Sequence, residues 1–533
     1  MKLLSGADVT IDNCVFSNNS AVKGGAIYVS AGSLNIVNGT VLHDNSTSDN
    51  GGAIYQSGGS IIINGSELHD NKTTGTESGK GGAICITGGT TTIAEKTLIY
   101  SNTTKIDGGA IAVGGGEMTI SGESELYENT STKAGGAISL TLGTLNIAGS
   151  AVLHNNIATV DGGAIFVSGG FLNISDGAVF HHNLAATAGG AISIKASSEP
   201  EVNIANSSFY RNRAASSSGY CGGAIAINPK DDITVSATVS ATDCLFYENM
   251  GHATEIEINR TNIDATKAST GGAFYLGPNA TLKMDRCKIY KNLASQNGGA
   301  IRIKNNTAKL YMNRCFVYDN YVGKYAAGIK NSSGILAMFN CVVYQNVPQK
   351  SVSTAGSNNE SSNTLLANTS VRVNTASPGI LLSSTASSVM VNNIFKNNNG
   401  ADKAAVSVAS NKEISSYGHN LYSYWGGTVT YPTGVVEASD VKVTADIPTW
   451  NSSTKYLTIS SLPEAFYNGS DIDYRATPAQ VEAAIDFFDS QNSTDFKAWL
   501  NSLNGNALSV DIRDLPRPTE KIWPGSYEGD VTQ

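Results

Sequence analysis

The sequence predicts an all-β chain: a right-handed parallel β-helix with coils of about 27 residues and a small C-terminal capping region with one or two short helices. Three observations predict it. The tetrapeptide Gly-Gly-Ala-Ile starts at Gly24, Gly51, Gly81, Gly108, Gly135, Gly162, Gly189, Gly222 and Gly298, most often 27 residues apart. A Gly-Gly-Ala-Phe copy starts at Gly271, and a degenerate Ala-Ala-Gly-Ile at Ala326. A second motif, an apolar residue, two others and then asparagine, accompanies it from Leu42–Asn45 to Val317–Asn320. Between the motifs, apolar residues alternate with period two, as strands require. With so short a period, one copy is one structural unit, and it can bury its apolar face only by stacking on the next.

Coil 135–161 shows the elements in order. Ile138 and Leu140 form one inward pair, Leu145 and Ile147 the next, Ala151 and Leu153 the third. The runs are too short for helices, and the intervening glycines would weaken one. Three strands per coil, each paired with its counterpart, place identical positions about 4.8 Å apart. Each motif position therefore becomes a ladder. The asparagine falls at a bend, where its amide can pair with the next asparagine and with turn backbone groups. Removing one should cost about 1–3 kcal/mol. The paired glycines free the backbone for the corner before the Ile strand, and the alanine after them marks a tight spot.

Two further ladders follow from the same register. Five residues before the motif asparagine stand Thr40, Ser66, Thr97, Ser124, Ala151, Ala178, Ser207, Cys244, Cys287, Cys315 and Cys341, with Cys14 in the same slot. All are small, so the slot reads as a confined inward position holding free core thiols rather than disulfides. Two residues before the asparagine stand His43, His69, Tyr100, Tyr127, His154, His181, Tyr210, Tyr247, Tyr290, Tyr318 and Tyr344. Alternation points this stripe outward. It reads either as β-formers stacking on a parallel sheet or as a platform for an extended glycan. The platform reading makes His154, His181, Tyr210, Tyr247, Tyr290 and Tyr318 the candidate glycan-binding residues, with exposed and roughly coplanar rings.

Composition narrows the partners. The net charge of −9 is spread over 533 residues without a basic cluster, which argues against nucleic acid. No apolar run reaches the roughly 18 residues of a membrane-spanning helix. Met1-Lys2-Leu3-Leu4 leads straight into a repeat with no signal-peptide apolar region, so any export signal is expected outside this chain. No catalytic residue, metal site or cofactor is assigned, and enzymatic activity is left open. Asp107 and Asp161 both precede a glycine pair but lie two coils, or about 10 Å, apart. Asp231-Asp232 beside Lys230 reads as a solvated turn.

Insertions gather at one corner, in 72–80, 213–221 and 250–270, the last read as an extra hairpin. Such a corner is a common binding face. After Asn346 the motifs fade, but strands are expected at Leu365-Leu366, Val371-Val373, Ile380-Leu382 and Val389-Val391. Thr477-Pro478 is a helix start, with Val481, Ala484, Ile485 and Phe488 as its apolar face. A second short helix is expected over 495–503. Residues 1–421 thus read as the β-helix and 422–533 as a tail capping its C-terminal end.

The paired motifs resemble the passenger repeats of chlamydial polymorphic outer membrane proteins and, more widely, bacterial pectate-lyase-like parallel β-helix proteins, over residues 5–421. The segment Asp511-Ile512-Arg513-Asp514-Leu515-Pro516-Arg517-Pro518, then Pro524-Gly525-Ser526-Tyr527-Glu528, looks like the closing motif of choice-of-anchor surface proteins. Asp514 and Ser526 depart from that pattern, which has Gly and Ala there. The resemblances imply an exported, extracellular or cell-surface bacterial protein, adhesin-like or a glycan-binding stalk. Its expected partner is an extended polysaccharide or a host or neighbouring cell surface. A polysaccharide lyase or glycoside hydrolase, and a purely structural envelope protein, are the alternatives.

Overall fold

The computed structural model describes residues 1–216, 219–252, 263, 268–324, 326–344 and 346–348, short segments between 363 and 458, and residues 478–503. The chain divides into two compact units. One comprises Met1–Asn259, Asp264–Leu282 and Lys291–Gln296; the other comprises Arg260–Ile263, Lys283–Tyr290 and Asn297–Gln533. Both are built from parallel strands stacked coil on coil.

In the first unit a coil turns through four strands, one more than the alternation predicts. The coil after Gly135 runs Ile138–Leu140, Thr144–Ile147, Val152–His154 and Ile157–Ala158. Each pairs in parallel with its equivalent in the next coil, in register Ile138↔Ile165, Leu145↔Leu172, Leu153↔Phe180 and Ala158↔Ala185. The fourth strand has two residues, too few to show a period. Ile138, Leu140, Leu145, Ile147 and Leu153 are fully buried in the centre of the coil.

The glycine pair does two separate jobs. Gly135 is left-handed, with φ +67°, a region that costs other residues about 1–2 kcal/mol. Gly136 is not left-handed but lies against the next coil. A Cβ there would sit 2.6 Å from the Ile157 nitrogen and within van der Waals overlap of the Gly163 carbonyl oxygen. The second glycine is therefore needed for close approach between coils. The following alanine, Ala137, is fully buried, as a tight spot requires.

The asparagine ladder is fully formed. The Asn156 backbone N–H and Nδ2 both donate to Asn183 Oδ1, at 3.1 and 3.0 Å. Its Nδ2 also donates to the Leu126 carbonyl at 2.9 Å. Its own Oδ1 accepts from the backbone N–H and Nδ2 of Asn129. The same amide-to-amide bond links Asn19, Asn45, Asn71, Asn102, Asn129, Asn156, Asn183, Asn212, Asn249 and Asn292 in the first unit, and Asn320 to Asn346 in the second. Each amide is thus satisfied without water in the interior.

The ladder thiols face inward, with one exception. Cys244, Cys287, Cys315 and Cys341 are buried and unbridged, as are Cys85 and Cys221, which lie off the ladder. The S–H groups of those four ladder thiols reach backbone carbonyls two residues back, at 3.1 Å for Cys315 and Asn313. Burial raises the Cys315 thiol well above its ordinary pKa. Cys14, expected in the same confined slot, is exposed. Iodoacetamide should therefore modify Cys14 in the native protein and the other six only after denaturation. A Cys287–Cys315 disulfide, read by mass spectrometry, would contradict the buried-thiol assignment.

In the second unit, Ile301–Ile303 pairs with Ile329–Asn331 and Lys309–Asn313 with Ile335–Phe339, all parallel. Beyond Asn346 strands stand where expected, at Asn363–Ala367, Ser370–Val373, Ile380–Leu382 and Ser388–Val391. Parallel pairing runs on past residue 421, through Trp425–Gly426, Thr428–Thr430 and Val441–Lys442. A buried ion pair holds one corner: Asp285 accepts from Arg314 Nη2 at 2.8 Å and from Asn313 Nδ2 at 2.8 Å. Burial pushes the Asp285 carboxyl up, and Arg314 and Arg286 pull it back.

Helices α1 (Pro478–Asn492) and α2 (Phe496–Ser502) form as expected, with Val481, Ala484, Ile485 and Phe488 buried. They lie along the flank of the stack, against Tyr311, Ala337 and Phe339 on the outer face of the second sheet; most of the rest of the tail expected to cap its end lies outside the described residues. In the first unit the outward residues of that sheet are mostly polar, such as Asn146 and Asn173, although Ile62 and Phe171 also face out. In Ile335–Phe339 every residue is apolar and buried, which supplies the docking surface. Tyr311 donates to Asp495 Oδ1 at 3.0 Å, and Lys283 reaches Asp495 Oδ2 at 3.3 Å. The hairpin expected near 255–258, most of 348–363 and 416–421, Thr477 and the 511–528 motif lie outside the described residues.

Candidate functional site

The candidate site is the outward stripe on the third sheet, one residue per coil. Each ring sits between an inward apolar residue and a left-handed turn residue, so backbone register fixes its direction. His154 and His181 face each other across paired strands, as do Tyr210 and Tyr247. All of the described rings are half-buried. The Tyr344 side chain lies outside the described residues.

The rings stack face to face. From His43 through His69, Tyr100, Tyr127, His154, His181 and Tyr210 to Tyr247, neighbouring centroids lie 4.8–5.1 Å apart with interplanar angles of 6–17°. In the second unit Tyr290 and Tyr318 stack at 5.0 Å and 4°. This corrects the expectation of roughly coplanar, open rings. The coil repeat sets one ring on the next, so each face is covered by a neighbour and the stripe offers solvent its edges. Those edges are polar: Tyr100 donates to Glu67 at 3.0 Å, and His154 Nε2 lies 3.5 Å from Glu125.

His181 is the electrostatically distinctive member. Burial, reinforced by His154, His182 and Arg211, holds its pKa down to about 4. A base with a folded pKa below its unfolded value of 6.5 takes its proton preferentially when unfolded. Its contribution to stability is therefore intact above about pH 6.5 and declines as pH falls towards 4. Urea midpoints followed over that range should drop more steeply in the wild type than in His181→Tyr, which keeps the stack. Parallel curves would contradict this.

The residue after each ring, acidic at Asp44, Asp70, Glu128, Glu248 and Asp319 but too scattered in sequence to suggest a metal site, has positive φ in every described coil. In the first unit it is Asp44, Asp70, Ser101, Glu128, Asn155, His182, Arg211, Glu248 and Lys291. Asparagine, aspartate and histidine tolerate that conformation best, but arginine does not share that preference. Arg211 donates through Nε to Glu248 at 2.7 Å, and His181 and His182 share a contact of 2.8 Å between their Nδ1 atoms.

The carboxylates weighed for catalysis are engaged differently. Asp107 pairs with Lys80 at 3.2 Å and accepts the Ala134 N–H. Asp161 is 3 % exposed and burial raises its pKa. Asp231 accepts from Tyr220 at 3.0 Å. Among the described residues no cluster of three or more His, Cys, Asp or Glu could hold a metal ion, and no helix is long and apolar enough to cross a membrane.

Comparison with known proteins adds one match. Residues 13–30 match the model of the Chlamydia polymorphic membrane protein repeat. That span holds strand Val15–Ser17, Asn19 of the ladder and the first Gly-Gly-Ala-Ile, so it covers the two motifs that stack the coils. No curated protein and no solved structure matches the chain. The chain is a parallel β-helix repeat protein whose repeat is similar to that of the Chlamydia polymorphic membrane proteins.

Proposed function

We propose that this chain is the exposed, adhesin-like part of a bacterial cell-surface protein, a stack of coils that presents its corners to a polysaccharide or another cell. The observation carrying this reading is the match at residues 13–30 to the repeat of the Chlamydia polymorphic membrane proteins, which falls on the two motifs that build each coil. The choice-of-anchor resemblance at 511–528 supports tethering to the envelope. The stacked rings favour contact by polar edges and neighbouring corner residues over packing on open ring faces.

Labelling of intact source cells with a membrane-impermeant amine reagent tests the location. Exposed lysines such as Lys96, three-quarters exposed beside Glu123, should be labelled without lysis. Labelling only after lysis would overturn the reading. Purified chain should bind whole target cells in a saturable manner; the absence of such binding would leave a structural envelope role instead.

A further inference from the structure

Where the ring stripe meets the left-handed corner, each histidine Nδ1 faces the side chain of the next residue. His43 Nδ1 lies 2.8 Å from Asp44 Oδ2, and His69 Nδ1 lies 2.8 Å from Asp70 Oδ2. Asn155 Nδ2 donates to His154 Nδ1 at 3.1 Å. The positive φ of the second residue in each pair makes the pairing recur. In the coil after Gly162 the partner is a second imidazole. His181 Nδ1 and His182 Nδ1 lie 2.8 Å apart, with ring planes at 88° and centroids 5.0 Å apart. His182 is exposed and His181 half-buried, so the contact is open to solutes.

This pair differs chemically from the others. At His43 and His69 a carboxylate accepts the ring N–H in a charge-assisted bond. Two neutral imidazoles hold only one proton between their Nδ1 atoms, in a weaker neutral bond. A metal ion replaces that proton and uses both nitrogens. A separation of 2.8 Å, with metal–imidazole bonds of about 2.0 Å, sets an angle of about 90° at the metal. Tetragonal Cu(II) has that angle, whereas tetrahedral zinc needs a wider one, and copper leads the affinity order for nitrogen ligands. His181 is held between His154 and Tyr210 at 4.8 and 4.9 Å, so one ligand is already oriented. Its lowered pKa keeps it neutral at pH 7, as ligation requires. His182, on the exposed side, adjusts by turning about its side-chain bonds. The Arg211 guanidinium is paired with Glu248 at 2.7 Å, which offsets much of its repulsion of a cation.

We propose that His181 and His182 chelate Cu(II) through their Nδ1 atoms, with water in the remaining positions. No third His, Cys, Asp or Glu joins them among the described residues. The site stands independently of the cell-surface reading, because it is formed by two consecutive residues of one coil.

Titration of the whole chain with Cu(II), followed by calorimetry and electron paramagnetic resonance, tests it. The first equivalent should bind with hyperfine coupling to two imidazole nitrogens. His182→Asn keeps a residue suited to the left-handed turn, and His181→Tyr keeps the ring stack. Each should weaken that equivalent about tenfold or more, as loss of one arm of a chelate does, and leave at most one of the two couplings. His43→Asn alters a His–Asp pair of the same stripe and should leave binding unchanged. Circular dichroism checks that each variant is folded. Unchanged affinity and coupling in His181→Tyr and His182→Asn would overturn the proposal, as would no copper binding at all. An equal loss in His43→Asn would also overturn it, marking an adventitious ion only.

Discussion

Gly136→Ala should destabilise the protein by about 3 kcal/mol or more, at the top of the range for overpacking. The added methyl group would meet the Gly163 carbonyl oxygen of the next coil and the Ile157 nitrogen, where the fourth strand begins. Both are backbone atoms held by inter-coil hydrogen bonds, Gly136 N–H to Gly162 O at 3.0 Å and Ile157 N–H to Asn129 O at 2.9 Å. Neither can rotate away as a side chain would. Relief requires the coils to separate, which breaks hydrogen bonds in several sheets together. Ser139→Ala, three residues on, is the matched control. The Ser139 hydroxyl is buried without a partner, so its removal should be neutral or slightly stabilising. Urea denaturation of both variants gives the comparison. Equal, small shifts would mean that the second glycine is not needed for close approach.

Asn156→Ala should cost about 3–5 kcal/mol, because more than one buried group loses its partner at 1–3 kcal/mol each. The Asn129 backbone N–H and Nδ2 both lose their acceptor, and the Leu126 carbonyl loses a donor. Asn183 Oδ1 keeps the Asn156 backbone N–H and is spared. Asn156→Asp keeps the acceptor but loses both side-chain donations and places a carboxylate in the core, so its cost should rise with pH. Asn155→Ala, at the exposed neighbour, should cost far less. If Asn156→Ala and Asn155→Ala behave alike, the ladder contributes little.

The coil, its period and the identity of its ladders were legible because stacking turns each small requirement into a repeated letter. Asn156 recurs because every coil needs the same amide bonds, and Gly135 because every coil needs the same left-handed corner. Features without a repeated letter were not legible. The fourth strand, Ile157–Ala158, is too short to alternate. The role of Gly136 was hidden because sequence shows that a glycine stands there, not what approaches it. The flank that receives α1 and α2 was signalled only by Ile335–Phe339 losing its polar positions.

The candidate site was legible by half. Register placed His154, His181, Tyr210, Tyr247, Tyr290 and Tyr318 on one outward stripe, but not the plane of each ring. A repeat of about 4.8 Å leaves flat rings on successive coils room to stack and little room to lie side by side, which follows once the four-stranded coil is known.

Excision of one coil tests the central claim, that one repeat is one interchangeable layer. Deleting 135–161 should bring the coil of Gly108 onto the coil of Gly162, with Asn129 donating to Asn183 and Ile111 pairing with Ile165. Nearest-neighbour contacts are preserved in kind, so the shortened protein should unfold cooperatively at nearly the wild-type urea midpoint. Deleting 135–147 alone removes half a layer and throws every ladder out of register, and that variant should be largely unfolded. Comparable loss of structure in the two deletions would contradict the account.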